Sequence, residues 1–65
     1  MLPLLPRICV RLVEDEPTLS LVHRVTRAMR HHGVDEAEVK RFCREATTGQ
    51  KVLDVVRRWV EVRDA

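Results

Sequence analysis

The fold is decided by two short stretches, Arg7-Ile8-Cys9-Val10-Arg11-Leu12-Val13 near the start of the chain and Trp59-Val60-Glu61-Val62-Arg63 near its end. In both, apolar and mostly β-branched residues alternate with polar ones. This period of two is typical of a strand buried on one face, because successive side chains of a strand point to opposite faces. Two isolated strands at opposite ends of a chain are most stable when they pair. The sequence therefore predicts a small sheet that closes the molecule.

The segment after the first strand has the period of an amphipathic helix. The run Glu14–Thr18 is typical of a helix start, because proline is tolerated in the first turn and carboxylates stabilise the positive end of the helix dipole. We expect the helix to reach His32 and to end at Gly33 in the left-handed conformation. His32 is expected to be neutral and at least partly buried, and His23 and His31 to be exposed. The predicted core face consists of Leu21, Val22, Val25, Ala28, Met29 and His32.

Two further helices are predicted before the second strand. The first begins at Asp35 and ends at Thr47-Thr48-Gly49, and the other runs from Gln50 to about Arg57. The core face of the first follows helical spacing and consists of Val39, Phe42, Cys43 and Ala46.

These elements predict the α+β class: a small β-α-α-α-β domain in which two terminal strands pair into a sheet covered by helices. A chain of 65 residues buries only about 60% of its unfolded surface, so its core is small. We expect a single domain over residues 1–65, with residues 1–6 as a frayed leader before the first strand.

The two cysteines and the start of the chain bear on its location. Cys9 and Cys43 each lie in an apolar pattern, where free cysteine behaves as a small hydrophobe. We expect buried, reduced thiols, with a disulfide or a redox pair as the alternative. The first six residues are too short and too proline-rich for a signal sequence, and no stretch approaches the ~18 apolar residues of a membrane span. These features predict a cytoplasmic protein without membrane contact.

The face of the first helix opposite its core face is the main candidate binding site. No acidic residue occurs from Pro17 to His32, and guanidinium groups bind carboxylates and phosphates through paired hydrogen bonds. Such a face fits a protein partner, a nucleic acid or a nucleotide. Alternatively, it is an ordinary solvent-exposed face whose positive charge is neutralised by acidic residues of neighbouring elements. The candidate binding residues are His23, Arg24, Arg27, Arg30 and His31.

The sequence contains no recognisable pattern for catalysis or metal binding. Adjacent His31 and His32 diverge by about 100° on a helix, so they cannot share an ion, and no other spacing supplies a tetrahedral set. A glycine-rich phosphate loop and a Ser-His-acid pattern are also missing. We therefore predict no catalytic residues, no metal, no cofactor and no enzymatic activity.

Trp59 is a possible interface residue. Strand alternation places it on the face opposite Val60 and Val62. There it either packs beneath the end of the third helix or is exposed as a contact residue, and aromatic residues dominate many interfaces. Core packing is the favoured alternative, because this is the only tryptophan of the chain.

Several short motifs follow one another along the chain: Arg30-His31-His32-Gly33-Val34, Asp35-Glu36, Phe42, Glu45-Ala46, Thr48-Gly49 and Trp59-Val60-Glu61-Val62. In this layout the chain resembles a group of short bacterial and phage proteins that have no assigned activity. The chain differs at Glu14–Pro17, where the group has a turn rich in Gly, Asp and Asn, and at Gly49–Lys51, where it has Gly-Asp-Tyr. The resemblance implies a phage or prophage accessory protein and no particular mechanism.

The leading functional hypothesis is a non-enzymatic protein-interaction module that binds a host protein. The alternative is an anion binder for nucleic acid or a nucleotide that uses the basic face of the first helix. A net charge of +2 is far from the one-sided positive charge of a dedicated nucleic-acid binder, which favours the first hypothesis.

A homodimer built through the terminal strands is also predicted. A two-stranded sheet is marginally stable alone and leaves unpaired backbone groups along both edges. In a two-fold dimer, Glu61 and Asp64 of a second copy would neutralise arginines on or beside the strands. These arginines are Arg7, Arg11, Arg58 and Arg63.

Overall fold

The computed structural model describes residues 2–48 and 51–63. Over these residues the chain forms two strands and three helices, in the order β1 (Leu5–Arg11), α1 (Thr18–His31), α2 (Glu36–Thr48), α3 (Val52–Trp59) and β2 (Val60–Arg63). The two terminal strands pair in one sheet. This is the predicted α+β fold.

The two strands are parallel, an orientation that the sequence left open. In the regular part of the ladder, Cys9–Arg11 lies beside Glu61–Arg63 residue by residue. Before it, the pairing is irregular: Leu5 lies beside Val60 and Cys9 lies beside Glu61, so β1 has extra residues between these two positions, Pro6 among them. Proline fits a bulge because it has no N–H to donate to the ladder. Parallel strands cannot be joined by a tight turn, so the helical segment lies between them.

Helices cover one face of the sheet and leave the other open. The inward side chains of Ile8, Val10 and Val60 are buried. The alternate side chains are exposed, as the pleat requires: Arg7, Cys9, Arg11, Glu61 and Arg63. The core lies between the covered face and the helices. Its largest fully buried side chains are Trp59, Phe42, Met29, Val25, Val39, Val56 and Val60.

The end of α1 has the geometry that the sequence predicts. Gly33 follows the helix with a φ of +79°. The N–H of Val34 donates to the carbonyl of Met29, and the N–H of Gly33 donates to the carbonyl of Arg30, each at 3.0 Å. This is the Schellman pattern, in which a left-handed glycine allows the last carbonyls of a helix to find donors.

The predicted burial of His32 is wrong, because this residue is exposed. It lies one residue beyond α1, at φ −86° and ψ 5°, so the helical projection no longer gives its direction. Thr26 is buried on α1 instead, and its hydroxyl donates to the carbonyl of His23 at 2.8 Å. That bond satisfies the buried polar group within its own helix. His23 and His31 are exposed, as predicted.

The first strand begins and ends two residues earlier than predicted. Leu5 and Pro6 belong to β1, and the N–H of Leu4 donates to the carbonyl of Arg58 at 2.9 Å. The expectation that residues 4–6 form a frayed leader is therefore wrong. Val13 lies in the loop after the strand and is 54% exposed.

Both cysteines carry free thiols, and no disulfide joins them. Cys43 is half-buried on α2. Cys9 is exposed, so its predicted burial is wrong. The reason is that alternation along β1 directs Ile8 and Val10 inward and Cys9 onto the open face of the sheet.

Replacing Met29 by alanine tests the position of the core. Met29 is completely buried, so we expect Met29→Ala to lower the free energy of unfolding by about 2–5 kcal/mol. Leu19→Ala is the matched control on the same helix, because Leu19 is 75% exposed, and it should change stability by no more than about 0.5 kcal/mol. Urea unfolding followed by Trp59 fluorescence measures both. Equal effects of the two substitutions would contradict this packing.

Candidate interaction surface

Arg24 is bound within the protein. Its Nε and Nη2 atoms donate to the two carboxylate oxygens of Glu16, each at 2.8 Å. Nη2 also donates to the backbone carbonyl of Arg11 at 2.7 Å, and the hydroxyl of Ser20 donates to Glu16 at 2.9 Å. The Arg24 side chain thus links the end of β1, the loop after it and α1. A bidentate pair of this kind is the stronger form of a charged hydrogen bond.

This contact changes the proton affinity of both groups. The hydrogen bond from Arg24 holds the pKa of Glu16 below its ordinary value of 4.5. The same bond raises the pKa of Arg24, which is charged at any physiological pH in either case.

Arg30 is the second arginine of the predicted site, and it also binds a carboxylate. Its Nη2 donates to Glu36 at 2.8 Å and its Nε at 3.2 Å, which joins the last turn of α1 to the first turn of α2. Both side chains are 52% exposed, so the pair contributes little stability. The hydrogen bond from Arg30 lowers the pKa of Glu36.

Arg27 is the arginine of the predicted site that forms no ion pair among residues 2–48 and 51–63. It lies with Arg11 and Cys9 along a shallow groove of ≈ 310 Å³ between β1 and α1. His23 and His31 lie exposed on the same helix. The predicted basic face is therefore present, but carboxylates already occupy two of its three guanidinium groups.

Trp59 is a core residue, which confirms the favoured alternative of core packing and excludes the other alternative, an exposed interface residue. It is 1% exposed and meets Phe42 edge to face, with ring centroids 5.9 Å apart. Its indole N–H donates to Glu45 at 3.2 Å, and the Arg41 guanidinium lies 5.9 Å from the ring centroid. The physical reason is that Trp59 is the last residue of α3 and faces inward, since this helix continues past the predicted end at Arg57.

The predicted start of α3, Gln50, lies outside the described residues, as does Asp64, one of the acids expected to match charge in a dimer. Their predicted roles stay predictions.

The open face of the sheet is a surface that no helix covers within the described part of the chain. It presents three guanidinium groups, one carboxylate and the thiol of Cys9. The carboxylate of Glu61 lies 3.9 Å from the Arg63 guanidinium, and both side chains are about half exposed or more. This surface follows from the strand alternation, but the sequence did not show that helices leave it uncovered. Its arginines are Arg7, Arg11 and Arg63.

The two edges of the sheet differ. On β1, the carbonyl of Arg11 accepts from Arg24, while the N–H of the next residue, Leu12, donates to the carbonyl of Arg63 on β2 at 2.9 Å. Neighbouring residues of a strand direct their backbone groups to opposite edges, so Arg24 closes the outer edge of β1 at this point. The outer edge of β2 has no strand partner among the described residues.

A shallow apolar groove lies at the carboxyl ends of the strands. Its volume is ≈ 360 Å³, and Leu12, Val13, Leu21 and Leu53 contribute its apolar lining, with Glu14 and Glu16 at its side. In open parallel sheets, ligands often bind at this end. Here Glu16 is already engaged by Arg24.

The described residues contain no group of three metal-ligating side chains that could hold an ion. Within the same residues, no helix has both the length and the apolar character needed to cross a bilayer.

No protein-family model, curated protein or solved structure gives a significant match to this chain.

Removing each arginine in turn separates structural from surface roles on α1. We expect Arg24→Met to lower the urea midpoint, because it removes two hydrogen bonds to the Glu16 carboxylate and one to the Arg11 carbonyl. Arg27→Met should change stability by no more than about 0.5 kcal/mol, since it removes an unpaired exposed charge. Equal urea midpoints for the two variants would contradict a structural role for Arg24.

The Glu16–Arg24 contact also predicts a pH dependence. Because the pKa of Glu16 is lower in the folded state than its ordinary value of 4.5, its contribution is fully present above that value and is lost as the pH falls below it. The difference in melting temperature between the wild type and Glu16→Gln should therefore be largest near neutral pH and shrink below about pH 4.5.

Glu14→Gln, at an exposed position two residues earlier in the same loop, is the matched control for this titration. A wild-type-minus-Glu16→Gln difference that stays constant from neutral pH to about pH 2.5 would refute the coupling.

Proposed function

We propose that this protein is a non-enzymatic protein-interaction module that binds its partner through the open face of the sheet. The observation that carries the proposal is a two-stranded sheet with helices on one face only. A sheet face normally gains stability by packing on another layer. Here the uncovered layer presents exposed arginines around an exposed thiol. A set of charges of this kind selects partners by electrostatic complementarity.

The internal pairing of charges on α1 supports a protein partner over a nucleic acid. Arg24 and Arg30 bind Glu16 and Glu36, so a phosphate would have to displace these carboxylates. The aromatic rings that stack on bases in single-strand binders have no counterpart on the surface of the described residues, because the core encloses the side chains of both Phe42 and Trp59.

An anion binder for nucleic acid or a nucleotide is the second candidate, and one observation favours it. Arg11 and Arg27 line one groove between β1 and α1 and form no ion pair among the described residues. Binding of this kind weakens steeply as salt concentration rises, because phosphate contacts release counterions.

The proposal includes a setting for the protein. The resemblance to short bacterial and phage proteins supports a phage or prophage accessory factor that binds a host protein. Two free thiols, one of them exposed, support a reducing compartment and hence the cytoplasm. The open sheet supports a homodimer through the terminal strands, since a sheet of two strands is marginal in isolation.

Photocrosslinking from Cys9 tests the proposed binding face. In a Cys43→Ala variant, a thiol-linked photocrosslinker on Cys9 lies on the open face of the sheet. We expect it to capture a second protein species from a nuclease-treated lysate of the organism that encodes the chain, and the yield to fall when Arg11→Glu reverses a neighbouring charge.

The control carries the same crosslinker at Arg44→Cys, on the exposed surface of α2, with Cys9→Ser and Cys43→Ala. Equal capture from both positions would contradict a specific open-face site. Capture that occurs in an untreated lysate and disappears after nuclease treatment would support the nucleic-acid candidate instead.

A further inference from the structure

The outer edge of β2 and the charges beside it define a contact with a second copy of the chain. We propose that β2 pairs antiparallel with β2 of another copy about a two-fold axis at Val62, which forms a four-stranded sheet. The inference rests on the homodimer of the proposed function and specifies its interface.

The first step is that the two edges of the sheet differ in how readily they can accept another strand. Arg24 donates to the Arg11 carbonyl on the outer edge of β1 and thereby occupies the position of an added strand. On the other side, β2 has β1 as its single partner among the described residues. A strand added to this sheet therefore meets the edge of β2.

The second step is the direction of the backbone groups of β2. The carbonyl of Arg63 accepts from Leu12 of β1, so Arg63 directs its polar groups inward. By alternation, Val62 directs its N–H and carbonyl outward. Two copies can therefore exchange a pair of hydrogen bonds at Val62, each N–H donating to the carbonyl of the other Val62.

The third step is the register, which charge selects. Centring the axis on Val62 places Glu61 of each copy opposite the partner's Arg63. Centring it on Glu61 would place two carboxylates opposite each other, and centring it on Arg63 would do the same with two guanidinium groups. Cross-strand pairs of opposite charge stabilise a sheet and like charges destabilise it, so the Val62-centred register is favoured.

The geometry of an antiparallel ladder suits this charge exchange. Residues flanking a hydrogen-bonded pair have their Cα atoms only about 4.5 Å apart, closer than the hydrogen-bonded pair itself. Within one copy, Glu61 and Arg63 approach each other loosely, at 3.9 Å, with side chains 48% and 67% exposed. These side chains are therefore accessible to a new partner across the strand.

The resulting dimer is weak. A strand of four described residues buries less than the roughly 1,000 Å² of a stable interface, so association depends on concentration. In return, the sheet reaches four strands and the two open faces join into one continuous surface.

Charge exchange between copies tests the register on the purified protein. Glu61→Arg places arginine opposite the partner's Arg63, and Arg63→Glu places glutamate opposite the partner's Glu61. Each variant alone should dimerise roughly tenfold more weakly than the wild type, because two opposite-charge pairs become like-charge pairs. A 1:1 mixture of the two should regain wild-type affinity, since both cross-strand pairs are then complementary.

The mixture separates this contact from the ion pair within one chain, because neither variant has that pair. Sedimentation velocity at about 10 μM to 1 mM measures the dissociation constants. Circular dichroism and urea unfolding check that each variant is folded. Glu38→Arg and Arg44→Glu, at exposed positions on α2, reproduce the changes in net charge as controls.

Each outcome decides a different part of the account. Weakening in both single variants with recovery in the mixture supports the Val62-centred dimer. Wild-type affinity in both single variants, or no recovery in the mixture, overturns this interface but leaves a homodimer through another surface. A monomeric wild type up to about 1 mM overturns the homodimer as well, while the crosslinking from Cys9 to a different protein remains a separate test of function.

Discussion

The parallel pairing of β1 with β2 is the constraint on which the rest of the molecule depends. Parallel strands need a long crossover, and in this chain the crossover supplies all three helices of the described fold. The helices bury one face of the sheet against Trp59, Phe42 and Met29. No second layer covers the other face, and its composition is set by the residues that alternate with the buried ones.

The Glu16–Arg24 contact determines which parts of the surface stay available. It ties the loop after β1 to α1 and closes the outer edge of β1 through the Arg11 carbonyl. It also removes Arg24 from the basic face of α1, as Glu36 does for Arg30. What remains is the open face of the sheet, the groove beside Arg27 and the edge of β2. The proposals of a partner site on the open face, an anion site in the groove and a dimer contact at the edge of β2 follow from which charged and backbone groups are paired and which are not.

Local patterns in the sequence predicted the elements, because periodicity and the Gly33 stop are properties of neighbouring residues. The relative direction of the two strands could not be predicted, since it depends on how the three helices pack and on the end of β1 to which they bring the chain back. The same holds for the partner of Arg24: Glu16 precedes it by eight residues, in a loop whose path the sequence does not define.

Two errors have a common cause, which is that each pattern was extended past the end of its element. His32 was assigned to the helical face although the chain leaves α1 at that point. Trp59 was assigned to the alternation of β2 although it is the last residue of α3. A one-residue shift of an element boundary moves a side chain between core and surface, so the candidate site was less predictable than the fold.

Hydrogen exchange at the backbone amides of β2 tests the central claim most directly, because it reads the inner and outer edges of one strand separately. NMR on the purified chain at about 10 μM and 1 mM compares the amides of Arg63 and Val62. The account predicts that the Arg63 amide, which faces β1, is protected at both concentrations. It predicts that the Val62 amide exchanges rapidly in the dilute sample and becomes protected in the concentrated one.

Two results would contradict the account. An unprotected Arg63 amide would contradict the pairing of the terminal strands. A Val62 amide with the same protection at both concentrations would contradict an open edge that a second copy occupies.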